Sequence, residues 1–289
     1  MLRYLALIII FLCPTVLIHS QTPELDYFSM VDWSEGKMFI NVQTVFAPGS
    51  GAPRMRDLSE DAVRRNFFTI FMDSIRRDKN GELFFNSSST IEEQIQLNPN
   101  ILSHINDIYN NITRTFSTHN RNMTGMNMQY KLDIHRDIGS YFITHRTPLR
   151  SERTILWTPS ARFTGVVIYA DAEFPVHGEN RTSFLSPAMF PSVFDERMRR
   201  VVTKEMVQPA FLKKWGTAGY FSDPNDPRIR ERVGDRPLFT SARRLFGRYN
   251  TDIIIPAEDA NKLFFMGQNA NLISEGRFVI IRTLPSDTP

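Results

Sequence analysis

Met126-Asn127-Met128-Gln129-Tyr130-Lys131-Leu132-Asp133-Ile134 alternates apolar and polar side chains without a break. Successive side chains of a strand point to opposite faces, so this stretch predicts a strand with one buried and one wet face. Such strands belong to antiparallel or mixed sheets. Upstream, residues 37–45 (Lys-Met-Phe-Ile-Asn-Val-Gln-Thr-Val) give a second strand, and the Pro- and Gly-rich residues 48–53 a loop. Between the two strands the period changes. Met55, Leu58, Ala62, Phe67, Ile70, Phe71 and Ile75 recur every three or four residues and predict a helix over 54–77. Ser89-Thr90-Ile91-Glu92 reads as a capping box opening a short helix. Asn98-Pro99 opens a longer one, with Ile101, Ile105, Ile108, Ile112 and Phe116 as its buried face.

Residues 147–162 lose periodicity and carry Pro148, Pro159 and three arginines, which marks a boundary. Beyond it the pattern is richer in strands, expected at 164–170, 189–194, 200–203, 237–246, 252–255 and 278–281. One helix is expected at 256–266, and 222–236 reads as polar turns. The expectation is an α+β protein with an α+β domain over 25–147 and a smaller, β-rich α+β domain over 163–284.

Residues 1–20 add an address. Arg3 precedes an unbroken apolar run from Leu5 to Leu12, and Pro14 and a polar exit follow. That is the layout of a secretory signal peptide, too short to span a bilayer. The leader contains Cys13, the single cysteine of 289 residues. A chain freed of it forms no disulfide, thiolate nucleophile or Cys-ligated zinc site. Ile10-Phe11-Leu12 before Cys13 and Pro14 after it lack the small residues a lipidation site requires, so no lipid anchor is expected. The expected compartment is the periplasm. Four Asn-x-Ser/Thr tripeptides, at Asn86, Asn111, Asn122 and Asn180, are of the kind an Asn-rich chain produces by chance.

A net charge of +3 gives no argument for nucleic acid. The charge is uneven, however. Between Arg197 and Arg248 lie 13 Lys or Arg against five Asp or Glu. Arg197, Arg199, Arg200, Lys204, Lys213, Lys214, Arg243, Arg244 and Arg248 form a candidate binding patch for an acidic protein or an anionic membrane surface. Asp133, His135 and Asp137, spaced two apart with His145 nearby, would share one strand face and could ligate a metal. The same face carries Asn127, Gln129 and Lys131 and reads as solvated, so no metal or cofactor is expected. His104 and His119 share no ligand spacing. Ser160 and Ser186 lie in no Gly-x-Ser-x-Gly or Ser-x-x-Lys setting. Asp171 and Glu173 are the best available carboxylate pair, and a hydrolase of cell-wall or glycan substrates would need them about 5–10 Å apart in a pocket.

Phe163-Thr164-Gly165-Val166-Val167-Ile168-Tyr169-Ala170, followed by 185–196 (Leu-Ser-Pro-Ala-Met-Phe-Pro-Ser-Val-Phe-Asp-Glu), resembles the second part of a bacterial envelope family. That family contains small outer-membrane lipoproteins and relatives of the N-terminal domain of flagellar assembly protein T. Gly234-Asp235-Arg236-Pro237-Leu238, Phe246-Gly247, Asn250-Thr251-Asp252-Ile253-Ile254-Ile255, Glu258-Asp259-Ala260 and 275–281 follow in the same order. The resemblance spans roughly 32–282. It implies an α+β fold, periplasmic or outer-membrane placement, and assembly of an envelope or flagellar machine through protein contacts. Tyr169-Ala170-Asp171-Ala172-Glu173 departs from that family's Asp-Ala-Arg-Gly run, and the acylated cysteine of its lipoproteins has no counterpart here. The expected function is therefore a non-catalytic envelope protein that works by contact, with a hydrolase or a plain structural envelope protein as alternatives.

Overall fold

The computed structural model describes residues 22–46, 54–152 and 158–282. The leader with Cys13, the loop at 48–53 and part of the boundary segment lie outside these residues. The fold is α+β, in two halves of different construction.

The first half is built on an antiparallel sheet. β1 (Glu24–Asp32) and β2 (Lys37–Val45) form a hairpin, and α1 (Met55–Arg76) crosses over it. A two-residue hairpin, β3 (Arg77–Asp78) and β4 (Gly81–Glu82), leads to α2 (Ile91–Leu97) and α3 (Ile105–Asn111). β5 (Thr113–His119) and β6 (Met126–Asp133) complete the order β1-β2-β6-β5. The alternation in β6 does what it predicts. Met126, Met128 and Leu132 are buried against α1, whose inner face carries Val63, Phe67, Ile70, Phe71 and Ile75.

Four elements of this half differ from expectation. β1 escapes the apolar-in rule because its buried Ser29 is satisfied by the carbonyls of Ser74 and Arg77, while Phe28 and Met30 face outwards. The capping box sits one residue later: Thr90 Oγ1 accepts from the Glu93 amide at 3.1 Å, and Glu93 Oε2 accepts from the Thr90 amide at 2.8 Å. The long helix expected from Pro99 is a 3-10 turn (Pro99–His104) followed by α3, and it stops at Asn111. Phe116 is half exposed on the edge strand β5, where the β-branched Ile112, Thr113 and Thr115 favour extended chain.

The second half contains two four-stranded sheets. β7 (Val166–Tyr169) is followed by the short pair β8 (Phe174–Pro175) and β9 (Thr182–Ser183), then β10 (Val193–Asp195) and β11 (Arg200–Val202). Next come α4 (Pro209–Trp215), β12 (Gly219–Phe221), α5 (Pro227–Val233), β13 (Leu238–Ser241) and β14 (Arg244–Phe246). β15 (Asp252–Ile255), α6 (Ala257–Phe265), α7 (Ala270–Ser274) and β16 (Phe278–Ile281) close the chain. One sheet is parallel throughout, in the order β12-β16-β7-β13. The other is mixed, in the order β11-β10-β15-β14. The unbroken apolar runs of β7 and β16 follow from cover on both faces of the parallel sheet. Val166, Ile168, Phe278 and Ile280 join the main core. Val167, Val279 and Ile281 pack under Ile229 and Val233 of α5.

Here too the sequence expectation is corrected. The single strand expected over 237–246 is two strands, β13 and β14, in different sheets, because the chain turns at Ala242-Arg243. Extended pairing within 189–194 begins only at Val193. The turn-rich stretch 222–236 contains α5, capped by the Asp226 carboxylate on the Arg228 amide at 2.9 Å. One hydrophobic cluster runs through both halves. The seam is tied by the Met189 amide to the Phe84 carbonyl and the Phe190 amide to the Phe85 carbonyl, each at 2.9 Å. Phe85 also meets Phe190 edge-on at 5.2 Å.

Candidate functional site

A parallel sheet ends with all its strand carboxyl ends on one side, and open α/β sheets bind ligands in the crevice outside those ends. Here that side opens into a cleft of about 820 Å³ between the two halves, within the range of ligand pockets, roughly 300–1,000 Å³. The first half supplies the end of β1 with its turn (Met30 to Ser34) and the β3–β4 hairpin running into Phe84. The second supplies the segment Ser183 to Pro187, the end of β12 (Tyr220, Phe221) with Ser222, and Arg282 beyond β16.

The walls are aromatic and apolar. Trp33 meets Tyr220 edge-on across the cleft at 5.9 Å, and Met30 and Phe184 remain 38% and 40% exposed in its mouth. Tyr220 is positioned from both sides of its hydroxyl, which accepts from the Ala188 amide at 3.0 Å and donates to the Ala188 carbonyl at 3.3 Å. Burial raises its pKa well above that of an ordinary tyrosine, so it stays neutral.

Arg282 is fixed by its backbone, whose amide donates to the Phe221 carbonyl at 2.9 Å and extends the β12–β16 pairing by one residue. Its side chain is only 7% exposed. Its Nε is buried with no hydrogen-bond partner among the described residues, and burial disfavours its charge. Of the three carboxylates of the opposite wall, Glu82 is exposed, and Asp78 and Asp32 are engaged in their own turns. Asp78 accepts from the Val31 and Asn80 amides, and Asp32 from the Ser34 and Glu35 amides.

The residues singled out in the sequence lie elsewhere. Asp133 ends β6, and the chain then enters a π-helical turn (Ile134–Ile138), so Asp133, His135 and Asp137 share no strand face. Asp133 pairs with Lys37 and Asp137 with Arg136. His135 is buried between Gly36 and Gly216. His145 Nε2 lies 2.8 Å from the Val207 carbonyl. Among the described residues, no group of three or more His, Cys, Asp or Glu could hold a metal ion. Asp171 and Glu173 are exposed, and neither lines the cleft.

Two of the nine patch cations are used internally. Arg199 pairs with the fully buried Asp195 and donates to Asn261. Lys204 donates to the Phe142 carbonyl and lies over the rings of Phe85 and Phe190. Arg197, Arg200, Lys213, Lys214, Arg243, Arg244 and Arg248 are exposed. Arg200 and Arg244 sit on opposite edge strands of the mixed sheet, with Phe194 and Ile254 between them in one cross-strand row. None of the nine lines the cleft. Arg282 and Trp33 went unnoticed in the sequence, because nothing local shows that the end of the 278–281 strand or the segment around Trp33 opens on a cleft.

Residues 24–141 match the family model described as Treponema pallidum Tp0624, N-terminal domain, and residues 165–283 match that of its second domain. The chain is similar to Tp0624 in two successive domains. No curated protein matches it. The Tp0624-like regions each contribute one wall of the cleft, so the cleft arises from their packing together.

Proposed function

We propose that this chain is an exported protein of the bacterial cell envelope that works by binding, with the cleft between its two halves as the binding site. The observation that carries this reading is the cleft itself, at the carboxyl ends of a parallel sheet, with aromatic walls and a buried arginine whose Nε has no partner among the described residues. Export is supported by the leader pattern at residues 1–20. Among the described residues no helix is long and apolar enough to cross a membrane. A part in assembling the flagellum or another envelope machine rests on the sequence resemblance alone. Binding is favoured over hydrolysis because the one carboxylate pair proposed for catalysis is exposed and outside the cleft.

The test is site-specific photocrosslinking in cells, with p-benzoylphenylalanine at Met30, at Phe184 and, as a control, at Leu97, which is 73% exposed on α2. Adducts from the two cleft positions and none from Leu97 support the reading. Equal yields at all three, or none in the cleft, overturn it. Recovery of the chain in the cytoplasm with its leader intact overturns the address. A set of adducts that includes no flagellar component removes the flagellar version.

A further inference from the structure

Burying a cation without an acceptor costs stability, and evolved cores either pair such a group or replace it with an apolar one. Among the described residues Arg282 has no ion-pair partner and its Nε has no acceptor. What holds the backbone at this point is its own amide on the Phe221 carbonyl, a bond any residue but proline makes. Arg282 lines a cleft whose other charged groups are Asp32 and Asp78, both held by backbone amides, and the exposed Glu82. Tyr220 on the same wall is neutral and holds its hydroxyl on Ala188, so among the described residues nothing in this wall meets the Arg282 Nε.

From this geometry we infer that Arg282 is the anchor for an oxyanion, a carboxylate or phosphate, carried on a ligand whose apolar body lies against Trp33, Phe184 and Met30. A guanidinium engages such groups through two parallel N–H donors, which fixes direction as well as affinity. The inference rests on the cleft being a binding site and adds the chemistry of what enters it.

The test uses the intrinsic fluorescence of Trp33, with Trp33→Phe as the signal control, and four probes: N-acetylphenylalanine, its C-terminal amide, phenyl phosphate and inorganic phosphate. We expect at least one of the two aryl anions to produce a saturable change, the amide to bind at least tenfold more weakly than the acid, and inorganic phosphate to bind weakly for want of an apolar body. The order of the acid and phenyl phosphate distinguishes a carboxylate ligand from a phosphate one. Arg282→Gln and Arg282→Met should abolish the preference for the charged probe. Arg282→Met should also leave the melting temperature unchanged or raised, which a structural arginine would not do. Equal binding of acid and amide, unchanged binding by Arg282→Gln, or no saturable response to either aryl anion overturns the inference. If the crosslinks at Met30 and Phe184 persist in that case, the cleft remains a binding site and only its anionic chemistry is wrong.

Discussion

The two ends of the parallel sheet each hold a buried arginine, and they treat it in opposite ways. At the amino end, Arg232 is 6% exposed and fully employed. Its Nη1 donates to the Trp215 carbonyl at 2.7 Å, its Nη2 to Gly216 and Gly276, and its Nε again to Gly276. These carbonyls belong to the segments that enter β12 and β16, so one side chain ties the two strand entrances together. At the carboxyl end Arg282 is equally buried and lines the cleft, but its Nε has no partner among the described residues. Residue type, burial and neighbouring tyrosine are shared; the acceptors are not. A buried charge whose donors are all used is part of the scaffold, whereas one with donors to spare points to a partner that the chain does not itself supply.

The comparison breaks most readily at Arg232. Arg232→Met leaves the carbonyls of Trp215, Gly216 and Gly276 without their donor in a dry interior. At about 1–3 kcal/mol for each unsatisfied group, partly relieved by relaxation, the expected loss is about 4 kcal/mol. Urea denaturation of Arg232→Met beside Arg282→Met measures it directly. Similar losses in the two variants would erase the distinction between the ends.

Acid provides the next largest effect. His135 lies against Gly216 at the closed end, where burial first and Arg232 next push its pKa down to about 4. Between about pH 4 and 6.5 the unfolded chain therefore binds more protons at this site than the native one. The stability contributed by neutral His135 is present above that window and lost as pH falls through it. Asp252 acts in the opposite sense. Burial raises its carboxyl to about 6 against donation from the Ser192 amide, and it is close enough to influence Tyr220 of the cleft wall. From about pH 3.8 to 6 the native state holds the extra proton, so stability falls as pH rises. Each shift of roughly two units corresponds to about 3 kcal/mol, and the two nearly cancel in the native chain. Asp252→Asn keeps the acceptor for Ser192 and removes one side of the balance. Its unfolding free energy should drop by about 3 kcal/mol between pH 6.5 and 4, while the parent stays nearly flat. A flat profile in the variant would locate the neutral histidine wrongly.

How far the sequence could be read differed between the halves for physical reasons. Period-two and period-3.6 patterns expose an element when one face is wet, so β2, β6 and α1 were legible almost to the residue. β1 was not, because its inward Ser29 is satisfied by backbone carbonyls and its apolar Phe28 and Met30 face out. In the second half β7, β15 and β16 were visible as apolar runs, but their pairing was not. Parallel partners such as Val166 and Leu238 are far apart in the chain, and nothing local specifies their register. α5 was hidden by its own composition, since Arg228, Arg230, Glu231 and Arg232 read as a solvated turn while Arg232 is among the most buried charges. The cleft was illegible for the same reason, being formed by strand ends that only the sheet order brings together.

A smaller effect separates space from conformation at the closed end. Gly216 has φ +71° at the C-cap of α4, and a methyl group there would lie 2.4 Å from Cε1 of His135. Gly216→Ala combines left-handed strain with a clash in a dry seam, for an expected loss of about 2 kcal/mol. Gly178 has a similar φ of +82° with nothing within 4 Å. Gly178→Ala should cost only the conformational part, about 1 kcal/mol. If thermal denaturation shows the same loss for both, the seam around His135 is looser than the packing indicates.

The smallest expected effect tests the open end. Trp33 is half-buried, and its principal aromatic contact is the edge-on meeting with Tyr220 at 5.9 Å. Pairs of this kind contribute about 0.5–1.5 kcal/mol beyond the area they bury. Because the indole faces cleft space on its other side, Trp33→Leu should cost no more than about 1 kcal/mol in the free protein. In the presence of a saturating aryl anion the difference between parent and variant should widen, since bound ligand stabilises only the chain that holds it well. A loss of 3 kcal/mol or more without ligand would mean that the carboxyl end is packed as tightly as the amino end. Arg282 would then be a buried charge in a closed core rather than at a site open to a ligand.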